Sequence, residues 1–265
     1  MNRSVETGGT AHTQPGTDMK PLAGRVVLIT GAASGLGRAT ALRLARTGCH
    51  PVVADVDVEG ASTTCKLVAQ TGGEATAIHL DVTDPAGVRK AIGDVTERFG
   101  PSIDGLVNNA GTDRGAGILE ISDEHWQTVI GVNQSGPLYV TREFLRSIEL
   151  TGERDRPADV VNVISISAIT VGVDAAAYNA AKAALAMLTK IMQREAHEYD
   201  WPVRIHGLMP SAMNTPMMEQ WHLDDEVMMD PDTVAGAVEF MLTLPSDCYV
   251  QNMIINSRRE PGWPR

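Results

Sequence analysis

The stretch from Arg25 to Ala45, RVVLITGAASGLGRATALRLA, constrains the fold of this chain more than any other. It begins with a short, β-branched apolar run, Val26 to Ile29, which predicts a buried strand. Glycines follow, and beyond them the apolar residues recur at helical spacing, namely Leu36, Ala39, Leu42 and Ala45. The stretch therefore predicts a strand, a glycine turn and the start of a helix in close succession.

Each glycine of this turn has a physical use. Gly31 lets the chain turn where a Cβ would clash, Gly35 lets the backbone approach a ligand, and Gly37 lets the helix lie close to the sheet. The free N–H groups and the positive dipole end of the helix suit a diphosphate placed over the turn. A glycine-rich turn without a ligand is the alternative that the glycines alone leave open.

Composition excludes several classes of partner. The chain has 265 residues, of which 43% are hydrophobic and 21% charged, so it can bury a full core. A formal net charge of -11 without a basic cluster disfavours nucleic acid and anionic membranes. No apolar run approaches the roughly 18 residues that span a bilayer. The cysteines, Cys49, Cys65 and Cys248, form no C-x-x-C pair and predict reduced thiols in a cytoplasmic protein, and the histidines show no metal-ligand spacing.

Apolar runs alternate with helical stretches along the rest of the chain. Strands are predicted at 26–29, 50–57, 75–82, 103–108, 159–165, 203–208 and 249–255. Helices are predicted after the glycine turn and at 59–70, 84–99, 123–150, 175–199 and 232–242. This alternation predicts one α/β domain over residues 21–265, with a Rossmann-like, doubly wound parallel sheet of about seven strands and helices on both faces. Residues 1–20 lack the apolar core of a signal peptide and are expected to form a disordered leader.

An acidic residue ends the second predicted strand. Asp55 lies about twenty residues beyond the glycine turn, where a carboxylate accepts hydrogen bonds from an adenosine ribose. It would repel a 2′-phosphate on that ribose by several kcal/mol at an effective dielectric constant near 20, and Ser34 supplies no compensating positive charge. The sequence therefore favours NAD over NADP, with a solvated strand end as the alternative role for Asp55.

Tyr178 and Lys182 lie four residues apart in a predicted helix, so they share one face. A free tyrosine titrates near pH 10, and an ammonium about 4 Å away together with a positive nicotinamide ring would lower its pKa toward neutrality. Tyr178 can then serve as a general base or acid. A lone Tyr-x-x-x-Lys pair is more often a solvated surface pair. Ser165 strengthens the interpretation because its hydroxyl, at a strand end, can hydrogen-bond a substrate oxygen, and Ser167 is the rival for this role.

Together these features resemble the short-chain dehydrogenase/reductase family. The resemblance rests on the glycine turn from Thr30 to Gly37, on the NNAG tetrad that ends at Gly111, and on Asn133, Ser165, Tyr178 and Lys182, and it extends over most of the chain from about residue 20. It implies an NAD-dependent oxidoreductase that transfers a hydride between nicotinamide C4 and the carbon of a secondary alcohol or ketone.

The resemblance also implies a role for each motif residue. The catalytic residues would be Asn133, Ser165, Tyr178 and Lys182. The cofactor would contact Gly31, Ser34, Gly35, Leu36, Gly37, Asp55, Asp81, Val82, Asn109, Ala110, Gly111, Tyr178, Lys182, Pro210 and Thr215. Asn133 would bend its helix and anchor a water leading to the lysine. Family members commonly pair through two long helices, here at 123–150 and 175–199, which implies a homodimer or homotetramer.

The chain departs from the family pattern beside the expected nicotinamide site. Pro210-Ser211 stands in place of the usual Pro-Gly, and His206-Gly207 in place of the usual Asn-Ala. The family's substrate lid falls on about 211–231, a segment that contains Met213, Met217, Met218, Trp221, Met228 and Met229. Because methionine is flexible and polarizable, this lid predicts a bulky apolar or aromatic substrate, unless the side chains form core or a subunit contact.

Two other functions remain open on the sequence. An NADPH-dependent ketoreductase would need tight NADPH binding despite Asp55. A non-catalytic nucleotide-binding sensor would have kept the fold and lost the chemistry. The intact set of Ser165, Tyr178 and Lys182 counts against the sensor, whereas Ser211 leaves some room for it.

Overall fold

The computed structural model describes residues 22–150 and 156–259. Its strands are β1 (Val26–Thr30), β2 (His50–Asp55), β3 (Thr76–His79), β4 (Ile103–Asn108), β5 (Ala158–Val163), β6 (Val203–Pro210) and β7 (Met253–Ile255). Its α-helices are α1 (Gly35–Arg46), α2 (Val58–Gln70), α3 (Pro85–Phe99), α4 (Asp123–Ile130), α5 (Gly136–Leu150), α6 (Ala176–Glu198) and α7 (Pro231–Thr243). The leader expected at residues 1–20 lies outside the described residues.

These strands form one parallel sheet in the order β3-β2-β1-β4-β5-β6-β7. The chain leaves β1 toward one edge of the sheet and returns to β4 on the other side of β1. At such a reversal the carboxyl ends of the two central strands flank a crevice that can take a ligand. The predicted doubly wound α/β fold is confirmed.

Helices cover both faces of the sheet, and alternate residues of β1 pack on opposite faces. Val27 and Ile29 join the apolar cluster beneath α1 and α7. Val26 and Leu28 join the cluster beneath α3, α5 and α6. Since right-handed crossovers place helices on both sides of a parallel sheet, its strands are apolar on both faces.

The predicted helix at 123–150 is divided at Asn133. A π-helical turn, Gly131–Ser135, separates α4 from α5. Asn133 is fully buried in this turn, and its amide nitrogen donates to the carbonyl oxygens of Val129 and Thr112. Its Oδ1 accepts the N–H of Thr112. An asparagine that bonds backbone groups in this way competes with the regular helical pattern, which accounts for the interruption.

The last strand is shorter than predicted, because it begins at Met253 rather than at residue 249. Arg204 of β6 holds the preceding loop by donating to the carbonyl oxygens of Leu244, Pro245 and Cys248. The N–H of Val250 donates to Nδ1 of His206 instead of joining a strand ladder. Side chains of β6 therefore bind the backbone of the loop before β7, including the N–H of Val250, which the sequence pattern assigns to the strand.

Candidate active site

A cavity of about 810 Å³ opens at the carboxyl ends of the strands. Its lining includes most of the site residues expected from the sequence: Gly31, Ser34, Gly35, Leu36, Asp55, Asp81, Val82, Asn109, Ala110, Gly111, Ser165, Tyr178, Lys182, Pro210 and Thr215. The glycine turn and the Tyr-x-x-x-Lys pair, which are far apart in sequence, thus face one continuous space.

Two expected site residues lie away from the lining. A Cβ on Gly37 would lie 2.3 Å from the carbonyl oxygen of Gly31 and 2.6 Å from Nδ2 of Asn109, so this glycine lets α1 pack closely on the turn. Asn133 is buried behind the lining, where it fixes the backbone of Thr112. Both residues shape the site from outside the cavity.

The glycine turn fits the diphosphate of a dinucleotide. Gly31 has a φ of 66°, and a Cβ there would lie 2.7 Å from the Cα of Ala110. Ser34 precedes α1 but makes no capping hydrogen bond through its side chain, and the first turn of α1 contains no acidic residue. The N–H groups and positive dipole end of α1 therefore remain available to an anion.

Asp55 lies at the end of β2, on the cavity lining. Its Oδ2 accepts the N–H of Ala33 at 2.9 Å, and its Oδ1 accepts the N–H of Asp57 at 3.0 Å. The guanidinium of nearby Arg38 donates instead to Oγ1 of Thr64 and to the carbonyl oxygen of Ala33. Asp55 thus presents a fixed negative charge, and among the described residues it has no ion pair.

The NNAG tetrad ties β4 to β1 where the crevice opens. Oγ1 of Thr30 accepts the N–H groups of Asn109 and Ala110, each at 3.0 Å. Nδ2 of Asn109 donates to the carbonyl oxygens of Thr30 and Gly31. These bonds hold the glycine turn at a fixed height above the sheet.

A second network of hydrogen-bonded side chains supports the same end of the sheet, and its residues were not predicted from the sequence. Nδ2 of Asn108 donates to Thr141 and to Asn162, and Nδ2 of Asn162 donates to Thr189. Asn108 and Asn162 are register partners in β4 and β5. The sequence signal that could have predicted this network is an asparagine near the end of each of two apolar strands, Asn108 and Asn162.

Ser165, Tyr178 and Lys182 meet at one end of the cavity. Ser165 follows β5, and both it and Tyr178 line the cavity. Nζ of Lys182 donates to the carbonyl oxygen of Val163 at 3.0 Å and lies 5.6 Å from the centroid of the Tyr178 ring. The N–H of Ser167, the rival serine, donates to Oγ of Ser165, and Ser167 lines the same cavity.

Burial dominates the protonation of this pair. It raises the pKa of the Tyr178 phenol to about 12, although the Ser165 side chain opposes the rise. Burial also lowers the pKa of Lys182 to about 8. In the protein without nucleotide, burial therefore outweighs any effect of Lys182 on the phenol, and the lowered pKa expected from the sequence depends on the positive nicotinamide ring as well. In that state Tyr178 is a proton donor at neutral pH.

This arrangement predicts how the phenol titrates. At pH 10 about half of a free tyrosine is ionised, whereas a phenol with a pKa near 12 is about 1% ionised. Subtracting the ultraviolet titration of Tyr178→Phe from that of the nucleotide-free parent should leave no tyrosinate signal below about pH 10. A one-tyrosine signal near pH 7 to 8 would contradict the dominance of burial.

Some side chains of the expected substrate lid line the cavity, and others pack in the core. Met213, Met217, Met218 and Trp221 line the cavity. Met229 instead joins the core cluster beneath α1 and α7, so the core alternative holds for that residue. Gln220 fastens the lid segment at 216–221 to the loop after β4, because Nε2 donates to the carbonyl oxygen of Asp113 and Oε1 accepts the N–H of Gly115.

Ser211 and His206, which depart from the family pattern, both form hydrogen bonds with other parts of the chain. Oγ of Ser211 accepts the N–H of Ser257 at 3.0 Å, and the N–H of Ser211 donates to Ile255. His206 is fully buried and within 3.1 Å of Asp159. Since Nδ1 of His206 accepts the N–H of Val250, Nε2 carries the proton that is donated to Asp159. Both residues tie β6 to the segment that leads into and out of β7.

Comparisons with known proteins show the family of this chain. The family model described as short chain dehydrogenase matches residues 25–226. A meso-2,3-butanediol dehydrogenase from Serratia marcescens is 34% identical over 227 residues, which cover 82% of this chain and 86% of the relative. The expected resemblance is confirmed.

Solved structures show the same architecture. An alcohol dehydrogenase from Thermococcus sibiricus, complexed with 5-hydroxy-NADP, has a TM-score of 0.80 and 28% identity, covering 90% of this chain and 99% of that one. A 3-ketoacyl-(acyl-carrier-protein) reductase from Brucella melitensis, complexed with NADH, has a TM-score of 0.81 and 27% identity with the same coverage.

In the described part of this chain, no helix is long and apolar enough to cross a membrane, and no cluster of residues suits a metal ion.

Proposed function

This chain belongs to the short-chain dehydrogenase family, oxidoreductases that act on CH–OH groups, and we propose that it is an NAD-dependent enzyme interconverting a secondary alcohol and its ketone. The observation that carries the proposal is the continuity of the cavity. It joins Ser165 and Tyr178 to the glycine turn and Asp55. A reacting C–OH group and a dinucleotide can therefore occupy one continuous cavity.

The proposed mechanism assigns one task to each side chain. Ser165 donates a hydrogen bond to the substrate oxygen and holds it beside the phenol. Tyr178 gives a proton to that oxygen during reduction and removes it during oxidation. Lys182 stabilises the tyrosinate, while Asn133 fixes the Thr112 backbone behind the site. A bound nicotinamide dinucleotide would supply or accept the hydride and, when oxidised, would add a positive charge to the cavity.

The residues that would hold the cofactor follow the cavity from end to end. The glycine turn and the start of α1 would hold the diphosphate, Asp55 the adenosine ribose, Asp81 and Val82 the adenine, Lys182 the nicotinamide ribose, and Pro210 and Thr215 the nicotinamide, since all of these residues line the cavity. The fixed charge of Asp55 and the engagement of Arg38 support NAD rather than NADP.

Asp55→Asn should weaken this preference. We expect the affinity ratio of NADH to NADPH to fall at least about tenfold, because repulsion of a 2′-phosphate is worth several kcal/mol at an effective dielectric constant near 20. Titration calorimetry with both nucleotides measures the ratio.

Asp57→Asn is the matched control. Asp57 is exposed, lies two residues further on and does not line the cavity, and an asparagine remains a good cap for α2. Asp57→Asn should change the ratio of NADH affinity to NADPH affinity far less than Asp55→Asn does. Parental protein that binds NADPH as tightly as NADH would overturn the NAD assignment and favour the ketoreductase.

Apolar side chains support a bulky substrate and a homo-oligomer. Met217, Met218 and Trp221 surround the substrate end of the cavity, within the lid proposed at about 211–231. Leu138 on α5 and Met187 and Ile191 on α6 are exposed in the single chain. Pairing through these helices would cover them, so we propose a homodimer or homotetramer of a single domain over residues 21–265.

A substrate screen tests the proposal. Purified protein is mixed with hydrophobic secondary alcohols and NAD, or with ketones and NADH, and the absorbance of the reduced cofactor is followed. Turnover of at least one pair is the expected result. Tight NADH binding without turnover of any alcohol or ketone would favour the nucleotide sensor instead.

A further inference from the structure

Asp113 places a carboxylate at the catalytic end of the cavity. It follows the NNAG tetrad in the loop after β4 and is half-buried in the lining. Its negative charge acts on both members of the catalytic pair, since it raises the pKa of Tyr178 and that of Lys182. Asp113 therefore lies close to the position of the reacting group, although the sequence motifs give it no role.

The position of Asp113 is fixed by the lid. Its carbonyl oxygen accepts a hydrogen bond from Nε2 of Gln220 at 3.0 Å. A Cβ on Gly115 would lie 2.9 Å from the ring of Trp221, so the loop packs against the lid at this point. These contacts hold the backbone of the loop, and so the attachment point of the Asp113 side chain, beside the cavity.

The carboxylate lacks a strong partner within the protein. In the part of the chain that the structure describes, no Lys, Arg or His forms an ion pair with Asp113. Burial raises its pKa, and the N–H of Arg114 and the charges of His125 and Lys182 compensate only in part. A half-buried carboxylate of this kind gains a hydrogen bond when a ligand supplies a donor.

The surroundings decide what kind of donor fits. The cavity lining also contains the apolar side chains of Met217 and Leu223, with those of Val171 and Val173 at its exposed rim. A cationic ligand would meet the ammonium of Lys182, which is buried nearby. A neutral hydroxyl on an apolar frame satisfies Asp113 without that repulsion.

On the basis of the proposed function, we propose that Asp113 is a specificity residue that accepts a hydrogen bond from a second hydroxyl of the substrate. The substrates are then apolar-bodied diols and the corresponding hydroxyketones, with the second hydroxyl near the reacting carbon. Asp113 exchanges no proton in the reaction. The hydride and the proton both leave from the reacting CH–OH group, and the second hydroxyl is unchanged.

A pair of cyclic alcohols tests this assignment. The vicinal cyclohexanediols and cyclohexanol share one carbon frame and differ by one hydroxyl. The parent should oxidise the preferred diol with a kcat/KM at least about tenfold above that of cyclohexanol, and Asp113→Asn should reduce this ratio about tenfold or more, as for a hydrogen bond to a charged group. The ratio cancels any general effect of the substitution on Tyr178.

Asp94→Asn is the control, because Asp94 is an exposed residue of α3 outside this cavity, and it should leave the ratio unchanged. The assignment is overturned if the parent shows nearly equal kcat/KM for the diol and for cyclohexanol, or if Asp113→Asn does not change the ratio of the two. Either result leaves the dehydrogenase function intact. A preference for vicinal aminocyclohexanol over the diol, lost in Asp113→Asn, would overturn the choice of a neutral hydroxyl.

A binding measurement separates this inference from the proposed function. Calorimetric titration of the diol and of cyclohexanol into the protein–NADH complex requires no turnover. If no alcohol is oxidised, the proposed function fails, but tighter binding of the diol that is lost in Asp113→Asn would still support the Asp113 assignment. Equal binding of the two alcohols would overturn it.

Discussion

Tyr178→Phe should lower kcat/KM for any alcohol that the parent oxidises by about a thousandfold, while the affinity for NADH stays within a few-fold. General acid–base catalysis contributes typically about 10² to 10⁴ in rate. The substitution removes only the phenol hydroxyl and keeps the ring near Nζ of Lys182. Steady-state kinetics and calorimetric titration of NADH measure the two quantities.

Tyr199→Phe is the matched control for this experiment. Tyr199 follows the end of α6, its side chain is 63% exposed, and the substitution removes the same atom from a residue that does not line the cavity. Its kinetics should equal those of the parent. A Tyr178→Phe variant that retained more than a tenth of parental kcat/KM would refute the role assigned to the phenol.

The second large effect is on the stability of the fold. It concerns the end of the sheet that lies opposite the cavity. An ion cluster lies at the amino ends of the central strands and consists of Arg25, Asp104, Arg156, Asp159, Arg204 and His206. Asp159 is its centre and is fully buried, with Arg25 and Arg204 each 2.8 Å away. Burial alone would raise the pKa of Asp159, but hydrogen bonds from His206 and Arg204 and the charge of Arg25 hold it below its usual value.

Asp159→Ala should lower the free energy of unfolding by about 3–5 kcal/mol, because removing one member of a buried ion cluster leaves the others uncompensated. Arg204 would also hold the loop before β7 less firmly. Urea unfolding followed by circular dichroism measures the change. If the alanine variant does not fold, Asp159→Asn, which keeps an acceptor oxygen, should fold with a smaller loss.

Asp94→Ala provides the comparison on the surface. Asp94 forms an exposed i,i+4 pair with Lys90 at 2.6 Å, and such pairs contribute at most about 1 kcal/mol. Equal losses for Asp94→Ala and Asp159→Ala would show that the ion cluster does not stabilise the fold in this way.

Local spacing predicted much of this protein. The alternation of apolar strands and helical stretches gave the sheet and both helical layers, because burial on two faces demands apolar runs of the observed lengths. The four-residue spacing of Tyr178 and Lys182 placed both on one face of α6, because helix geometry fixes that relation. Gly31 was predicted at a sharp turn, and it has a positive φ there.

Other features depended on which distant segments meet. The sequence could not assign Met229 to the core and Met217 to the cavity, since both belong to one methionine-rich segment. The sequence also could not predict that the N–H of Val250 donates to Nδ1 of His206, which is 44 residues earlier in the chain, instead of joining β7.

The fold, the glycine turn and the spacing of Tyr178 and Lys182 could be predicted from residue order alone, because each follows from short-range geometry and from the burial of apolar residues. The protonation of Tyr178, the location of Asn133 behind the cavity and the position of Asp113 within it became known from the folded chain. Those properties depend on desolvation and on contacts between segments far apart in the chain, which no local pattern of residues encodes.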